Sequence, residues 1–432
     1  MKVIIQSFIK ELKFMTRTLF FIVLLLFILI IETYTYHGLK CAFPQGRKKV
    51  IVFIIYAISI VVIVTGIISM GFYLSARTTN MGYWQNLLIG ITFTLIITKI
   101  IFAGTLFLSD SFRIIKFCFQ KINSWFSNNS DAVEIEGRRK FITQIGMGIA
   151  IIPFTGFLYG IIKGKYDFKI HRQSLTFPDL PIAFDKLKIV QISDFHSGSF
   201  DDIESVARGL KMVQDQNPDL IFFTGDLVNN FAQEIEPYMH LLKDLNAPMG
   251  KFAVLGNHDY GEYVNWESEE KKLENTESIK LHLAEMGFSV LNNQRTSLIK
   301  NNEQIQIVGV ENWGKPPFPS YGDLNKALEG INNEDFTILI SHDPDHWEEK
   351  TLPHSKNINL TLSGHTHGMQ MGIEIPGFKW SPVKYRYKNW AGLYQQNGQY
   401  LYVNRGFGYL GYPGRIGIWP EITVIELNSD FS

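Results

Sequence analysis

Five short apolar runs in this chain are each followed, within two residues, by a side chain that can bind a metal ion. The runs end at Ser193, Thr224, Leu255, Ser341 and Ser363, and the candidate ligands that follow them are Asp, Asn and His. Carboxylate, amide and imidazole groups bind Mn²⁺, Fe and Zn²⁺, and a donor set of this kind does not choose among them. The pattern therefore indicates a metal site with nitrogen and oxygen ligands.

The elements that must position these side chains are predicted to be buried strands. Runs of this length, rich in Val, Ile, Leu and Phe, are typical of strands in α/β sheets, where ligands bind beyond the carboxyl ends of the strands. Helical stretches alternate with the runs, which predicts an α/β domain with a largely parallel sheet. One edge of the sheet would then collect five motifs, which begin at Asp194, Gly225, Gly256, Ser341 and Gly364.

In this order, the five motifs resemble the signature of the calcineurin-like metallophosphoesterases. They read DFH, GDLVN, GNHDY, SHDPDHW and GHTHGMQ, and the resemblance covers about residues 180–430. The tail segments Tyr400–Gly408 and Pro420–Val424 are also similar to the membrane-anchored, single-chain branch of that family. The resemblance implies a four-layer α-β-β-α sandwich, in which strands near residues 304–310, 400–404 and 421–427 complete the second sheet.

The resemblance further implies a cofactor of two divalent metal ions. Two ions can hold both the attacking and the leaving oxygen of an in-line displacement, and a bridging carboxylate between them suits Asp226. Manganese, iron and zinc all remain open as the metal. Besides Asp226, the expected ligands of one ion are Asp194, His196 and His367, and those of the other are Asn257, His342 and His365.

His258 and Asp259 are the predicted catalytic residues. His258 lies between Asn257 and Asp259 in the third motif, so its ring can face the leaving-group oxygen while the Asp259 carboxylate orients it, as a general acid requires. Two positions depart from the family pattern. Asn229 stands where many relatives have a second Asp, and Met369 replaces a common Gly, so these changes affect the surroundings of the site while its ligand set is intact.

The first 165 residues have the composition of a membrane protein. Long apolar stretches lie near residues 20–36, 50–72, 87–108 and 142–162, each close to the roughly 20 residues that cross a bilayer as a helix. Lys99 interrupts the third stretch and is expected to face the bundle interior or to extend toward the interface. The predicted organisation is an all-α transmembrane region of about four helices over 1–165, a linker over 166–180 and a catalytic domain over 181–432.

The distribution of Lys and Arg slightly favours an extracytoplasmic catalytic domain. The loops after the first and third predicted spans are rich in basic residues, and basic loops tend to remain in the cytoplasm. With four spans, this places both termini outside. Basic residues before the first span and after the last, among them Lys10 and Lys165, favour the opposite orientation.

Net charge and cysteine content narrow the function classes. The formal net charge is +0, so the chain has no basic field to hold DNA or RNA, and no nucleic-acid partner is expected. Both cysteines, Cys41 and Cys118, precede the catalytic region, which excludes thiolate metal ligands and disulfides there.

The predicted function is that of a membrane-anchored hydrolase of phosphomonoester, phosphodiester or pyrophosphate bonds. A lipid-linked substrate is expected because the catalytic domain follows the membrane segment closely, and relatives include enzymes of lipid A biosynthesis that cleave UDP-2,3-diacylglucosamine. That reaction would require a cytoplasmic site. The aromatic segment 378–412 either holds a lipid, nucleobase or sugar group or consists of second-sheet core residues and ordinary surface aromatics. The alternative function is a membrane receptor or scaffold with a phosphoesterase-like binding domain.

Overall fold

The computed structural model describes residues 19, 23, 25–76, 82–124 and 138–430. The chain divides into two compact units. One contains residues up to 69 together with 91–158, and the other contains residues 70–90 together with 159–432. The first unit is helical, and the second, here called the catalytic unit, carries the strands and all the predicted ligands.

Long helices cover the described part of the N-terminal region. Their bounds are residues 25–42 for α1, Arg47–Ala76 for α2, Tyr83–Ser124 for α3 and Arg138–Ile162 for α4. Helix α3 continues well past the predicted end of the third span at residue 108. Hydropathy marks only the apolar part of a helix, whereas the backbone hydrogen bonds continue through the more polar residues that follow.

Three segments of the described residues are long and apolar enough to cross a bilayer, namely Arg47–Tyr73, Tyr83–Ile122 and Lys140–Ile162. They agree with the second, third and fourth predicted spans. The predicted first span at 20–36 lies only partly within the described residues, and it is helical from residue 25 onward.

Lys99 faces the interior of the helical unit, one of the two positions expected for it. Its Nζ lies 2.7 Å from Oε1 of Glu32 on α1 and 4.8 Å from the ring centroid of Tyr56 on α2. A buried ammonium group without a counter-charge would be strongly destabilising. Glu32 provides that charge, so the pair links α1 to α3.

The catalytic unit contains two large sheets and a small hairpin. Its strands are β1 Lys169–Phe177, β2 Leu187–Ile192, β3 Leu220–Phe223, β4 Lys251–Ala253, β5 Phe288–Val290, β6 Gln294–Lys300, β7 Glu303–Gly309, β8 Thr337–Ile340, β9 Leu360–Ser363, β10 Ile373–Ile375, β11 Phe378–Trp380, β12 Gly392–Gln396, β13 Gln399–Val403 and β14 Glu421–Ser429. The first sheet has the order β1-β14-β2-β3-β4-β5, and the second has the order β12-β13-β9-β8-β7-β6. Strands β2 to β5 are mutually parallel, as are β7, β8, β9 and β13, which confirms the predicted α/β architecture.

The two sheets pack face to face with helices outside, as the four-layer prediction requires. Ile189 and Phe222 of the first sheet share one buried cluster with Ile338 and Leu362 of the second. The next residue of β2, Val190, points to the opposite face because side chains alternate along a strand. There it joins a second cluster with helix α5, Ile203–Gln214, and helix α7, Glu269–Glu285. Short helices complete the unit, α6 at Met239–Lys243 and α8 at Leu324–Ala327.

Two sequence predictions about this unit are wrong. Strand β14 lies in the first sheet, between β1 and β2, whereas the segment 421–427 was assigned to the second. Its side chains are buried on both faces, as a central strand requires. The predicted linker 166–180 contains β1, which pairs with β14 along its whole length. Only Leu175 and Phe177 of β1 are buried, so its sequence lacks an apolar run.

Candidate dinuclear metal centre

All seven predicted ligands lie together at one edge of the two sheets. Asp194, Asp226 and Asn257 follow β2, β3 and β4 of the first sheet, whereas His342 follows β8 and the pair His365 and His367 follows β9 of the second. The site therefore lies where the carboxyl ends of strands from both sheets meet, the position expected for ligands in α/β folds. The structure brings together every residue that the five motifs predicted to bind metal.

The loops that carry these ligands have unusual backbone conformations. Asp194, His196, Asp226, His365 and His367 all have positive φ angles, between 49° and 72°. Such conformations cost roughly 1–3 kcal/mol each and concentrate at functional sites. Hydrogen bonds between the loops hold them, including Asp194 N to the Gly225 carbonyl at 2.9 Å and His196 N to the Asp226 carbonyl at 3.1 Å.

Two glycines of the motifs allow the loops to approach closely. A Cβ atom at Gly364 would lie 2.2 Å from Oδ2 of Asp194, and one at Gly256 would lie 2.2 Å from Oδ1 of Asp226. Both distances are far below van der Waals contact, so any side chain would push a predicted ligand out of place. The glycines are therefore part of the site's geometry.

Among the described residues, two groups of side chains converge closely enough to hold an ion each. In the first, Nε2 of His367 lies 3.0 Å from Nε2 of His196 and 3.2 Å from Oδ1 of Asp194. In the second, Nε2 of His342 lies 3.2 Å from Nδ1 of His365. Within each group the ligand atoms all lie within 4.8 Å of one another.

Asp226 and Asn257 complete this arrangement. Oδ2 of Asp226 lies 3.5 Å from Nε2 of His196 in the first group and 3.2 Å from Nε2 of His342 in the second, so one carboxylate oxygen reaches both. Oδ1 of Asn257 lies 3.1 Å from Nε2 of His342. Two groups of nitrogen and oxygen donors that share a carboxylate fit a dinuclear divalent metal centre.

Hydrogen bonds at Nδ1, the ring nitrogen that does not face the other predicted ligands, orient two of the histidines. His342 donates from Nδ1 to the Thr224 carbonyl at 2.7 Å, because a carbonyl can only accept, so Nε2 is the ring nitrogen that faces the other donors. His196 Nδ1 lies 3.1 Å from Oδ1 of Asn229, which can accept in the same way. Partners of this kind orient metal-binding imidazoles and fix their tautomers. Asn229, noted only as a departure from the family pattern, therefore has a positioning role.

Two residues from the C-terminal part of the chain also contact predicted ligand histidines. Tyr387 places its hydroxyl 2.7 Å from Nε2 of His365, and Arg415 places Nη2 3.2 Å from Nδ1 of His367. Sequence reasoning named both only as residues that could hold a substrate group and did not predict their contacts with the histidines. Each lies more than 20 positions from the histidine it contacts, and the aromatic segment has no periodic pattern that would have distinguished them.

The pKa values of Asp194 and His196 fit bound cations. Burial raises the pKa of the Asp194 carboxyl to about 7 and lowers the pKa of the His196 ring to about 3. The directions are opposite because burial disfavours the charged form of either group. Cations at the two groups of donors would favour the ionised carboxylate and the neutral imidazole, which are the forms that bind metal.

His258 lies at the site, but its predicted partner is wrong. Both carboxylate oxygens of Asp259 accept hydrogen bonds from backbone amides, at 2.9 Å from Asp226 and at 2.8 Å from Leu227. Asp259 thus ties the second motif to the third, since its carboxylate points into the loop between them. The His258 ring is held by the Asn229 carbonyl, 2.7 Å from Nδ1.

Two family models match this chain. One is described as the transmembrane domain of probable calcineurin-like phosphoesterases and matches residues 16–165. The other is described as calcineurin-like phosphoesterase and matches residues 187–369. The two matched segments correspond to the predicted membrane region and to the part of the chain that holds the five motifs.

Curated relatives give the same result. The chain is 34% identical over 255 residues to the uncharacterized metallophosphoesterase YkuE of Bacillus subtilis, which covers 58% of this chain and 82% of that protein. It is 27% identical over 320 residues to a transmembrane protein with metallophosphoesterase domain of Danio rerio, covering 72% of this chain and 68% of that protein. It is 28% identical over 295 residues to phosphodiesterase YaeI of Escherichia coli, covering 67% and 98% respectively.

Proposed function

The chain belongs to the calcineurin-like phosphoesterases that carry a transmembrane domain, and from this premise we propose that it hydrolyses phosphodiester bonds at a dinuclear metal centre. It is a membrane-associated, metal-dependent hydrolase of phosphate esters. The observation that carries the proposal is the position of Asp226, whose Oδ2 lies within 3.5 Å of a predicted ligand in each group. The name of the Escherichia coli relative favours a diester over a monoester or pyrophosphate.

The proposed ligands divide as the two groups of donors do. Asp194, His196 and His367 would hold one ion, Asn257, His342 and His365 would hold the other, and Asp226 would contribute to both. The chemistry that two divalent cations would supply there is positive charge for the phosphoester and a more acidic water as the source of the attacking oxygen. Manganese, iron and zinc all suit these donors.

His258 is the proposed general acid. Its Nδ1 bonds the Asn229 carbonyl at 2.7 Å, so Nδ1 carries a hydrogen and the ring is held in one orientation. In the protonated ring Nε2 also carries a hydrogen, which can pass to the leaving-group oxygen as the bond to phosphorus breaks. Asp259 supports this step indirectly, because it fixes the loop from which His258 projects.

A membrane lipid derivative is the proposed substrate class, and a nucleic acid is not. Only six residues separate the end of the membrane-spanning segment Lys140–Ile162 from β1 of the catalytic unit, so the tether to the bilayer is short. UDP-2,3-diacylglucosamine, a lipid A precursor, is one candidate of this class. The proposed extracytoplasmic position of the catalytic unit, which rests on the Lys and Arg distribution, disfavours that particular substrate.

Metal analysis and turnover of the purified full-length protein test this proposal. We expect two divalent ions per chain, hydrolysis of bis(p-nitrophenyl) phosphate, loss of that activity after chelation and its return with Mn²⁺, Fe²⁺ or Zn²⁺. A protein that binds two ions yet hydrolyses none of a panel of monoesters, diesters and pyrophosphates would instead be a receptor or scaffold. A reporter fused to the C-terminus, active in only one compartment, determines the sidedness separately.

A further inference from the structure

The hairpin formed by β10 and β11 has one apolar face that is exposed. Ile373 pairs with Trp380, and Ile375 pairs with Phe378, so all four side chains lie on the same side of the two strands. The exposed fractions of Ile373, Ile375 and Phe378 are 50%, 58% and 52%, and Trp380 is half-buried. We call Ile373, Ile375 and Phe378 the hairpin face.

Polar contacts on the opposite side hold the hairpin in this orientation. Glu374 accepts hydrogen bonds from Nη2 of Arg405 at 2.6 Å and from Nε of the same residue at 3.0 Å. Lys379, its cross-strand partner, donates to the Ala391 carbonyl. The guanidinium group of Arg405 is buried, so it is a rigid anchor. Because these contacts hold the opposite side of the hairpin, the hairpin face points away from the domain.

The hairpin begins beside the end of a membrane-spanning helix. Arg415 donates its backbone N–H to the carbonyl of Gly160, in the last turn of α4, at 3.3 Å. The next residue, Ile416, bonds Gln370 at 2.8 Å and Gly372 at 2.9 Å through its own backbone. Gly372 directly precedes β10. Two steps of backbone hydrogen bonding thus connect the membrane-spanning segment to the hairpin.

Aromatic side chains lie at the ends of membrane-spanning helices that belong to the same unit as the hairpin. Tyr159, near the end of α4, contacts Trp419 with ring centroids 5.8 Å apart. Tyr83 and Trp84, at the start of α3, are 52% and 77% exposed. Tyr83 also lines a cavity with Ile161 of α4, so these helix ends lie at one level. Tyr and Trp concentrate where the hydrocarbon of a bilayer meets water.

We propose that the hairpin face inserts into the interfacial layer of the bilayer and holds the metal centre at the level of the lipid head groups. Met369 is 51% exposed and lies between the predicted ligand His367 and β10, so the inserted face is only a few residues from the centre. The consequence for substrate class rests on the proposed function: the phosphoester would belong to a membrane lipid. A second protein copy is disfavoured, because a stable interface buries about 800 Å² per partner and this hairpin has only three residues in each strand.

Fluorescence quenching in vesicles tests the insertion independently of any activity. Full-length protein with Cys41→Ser and Cys118→Ser receives Ile375→Cys, is labelled with an environment-sensitive nitrobenzoxadiazole dye and is reconstituted in phosphatidylcholine vesicles. Ile299→Cys is the matched control, since Ile299 is an isoleucine of β6 that is 71% exposed. We expect blue-shifted emission and quenching by spin-labelled lipids at position 375 only.

Two outcomes of this measurement would overturn the proposal. If the dye at position 375 emits and is quenched as it is at position 299, the hairpin face is in water. If its emission is blue-shifted but lipid quenchers have no effect, a protein surface covers the face.

The consequence for catalysis has a separate test. Ile375→Asp with Phe378→Asp should lower turnover of an acyl-chain nitrophenyl phosphodiester embedded in vesicles by about tenfold or more, because the site is no longer held at the bilayer surface. Turnover of soluble bis(p-nitrophenyl) phosphate should not change, and Ile299→Asp should affect neither substrate. An equal loss on both substrates would mean that the hairpin supports the site only structurally. Absence of turnover on every substrate would contradict the proposed function while the quenching result stands.

Discussion

Two clusters of buried polar side chains in the catalytic unit differ in how their atoms are matched. In the cluster around Arg405, Nη1 of this residue donates to Oε2 of Glu421 at 2.5 Å. The other oxygen of Glu421 accepts from the hydroxyls of Tyr402 and Thr423, both at 2.6 Å. Donors face acceptors throughout, so the cluster needs no further component.

The metal centre, in contrast, brings together nitrogen and oxygen atoms, most of which offer lone pairs. Nε2 of His196 faces Nε2 of His367 at 3.0 Å, and Oδ2 of Asp226 lies between the two groups of imidazoles. These nitrogen and oxygen atoms face one another. Such an arrangement requires a cation or protons between them. Burial of polar residues therefore does not by itself identify a functional site, whereas convergence of like atoms does.

The pKa values of two buried carboxyls reflect the same difference. Burial alone would raise the pKa of Glu421, but the charge of Arg405 outweighs it and the pKa is lowered to about 2. For Asp194, burial prevails and the pKa is raised to about 7. The Glu421 carboxylate thus has its counter-charge within the chain, in Arg405. The counter-charge of Asp194 would come from a bound ion.

The largest expected effect is that of removing the bridging charge. Asp226→Asn should abolish hydrolysis, a loss of at least about 10³-fold, because two cations would repel each other across a neutral amide. Bound metal, measured by mass spectrometry, should also fall below two ions per chain. Asp215→Asn, at an exposed carboxylate, serves as the matched control. Near wild-type turnover of the Asp226 variant would refute the two-ion centre.

His258→Ala should leave both metals bound and slow hydrolysis by about 10²–10⁴-fold, the usual contribution of a general acid. The loss should be smallest for substrates with good leaving groups such as nitrophenol, since these need little protonation. Steady-state rates across a leaving-group series measure this, with the exposed His240→Ala as control. A loss that is uniform across the series, or a loss of metal, would make His258 a ligand or a structural residue.

Glu421→Gln should have the opposite profile from Asp226→Asn. Removing one partner of a buried ion pair typically costs about 3–5 kcal/mol, and the cost here should lie near the lower end because Arg405 keeps Glu374 as a second carboxylate partner. The folded protein should still bind two ions. Thermal unfolding in detergent would measure the stability change, and Glu426→Gln on the same strand is the control, since Glu426 is only half-buried. Wild-type stability would show that the Arg405 cluster is not a structural anchor.

Asn229→Ala should weaken metal binding by about 10–100-fold, the range seen when partners of metal-binding histidines are removed. The reason is that His196 loses the acceptor 3.1 Å from its Nδ1. Asn229→Asp should restore affinity because a carboxylate also accepts there. Metal titration monitored by calorimetry distinguishes the two variants, and equal affinities for Ala and Asp would argue against a positioning role.

The smallest expected effect at neutral pH concerns a buried histidine outside both clusters. Burial lowers the pKa of His346 to about 3, and its Nδ1 bonds Oγ of Ser341 at 2.8 Å. An unfolded histidine titrates near 6.5, so the stability that His346 contributes is present above pH 6.5 and is lost as the pH falls toward 3. With His346→Gln, the free energy of unfolding should fall less steeply as the pH is lowered, by at most about 1.4 kcal/mol per pH unit. An unchanged dependence would show that His346 does not contribute to it.

Local sequence was sufficient to predict the candidate ligands and the membrane segments. Each predicted ligand lies within four residues after the end of an apolar strand, as Asp226 does after β3, so a short motif contains both the donor and the element that positions it. Membrane helices are recognisable for a similar reason, since the length and composition of one segment determine whether it crosses a bilayer. Both properties are readable from consecutive residues.

Tertiary structure decided how those residues are supported. Arg415 contacts His367 across 48 positions, and Arg405 reaches Glu374 across 31, distances over which no local pattern links the partners. The same holds for the place of β14 in the first sheet and for the amide partners of Asp259, because both depend on which segments pack together. The sequence by itself determined which atoms could bind metal, and only the fold determined what orients them, because orientation requires contacts between distant parts of the chain.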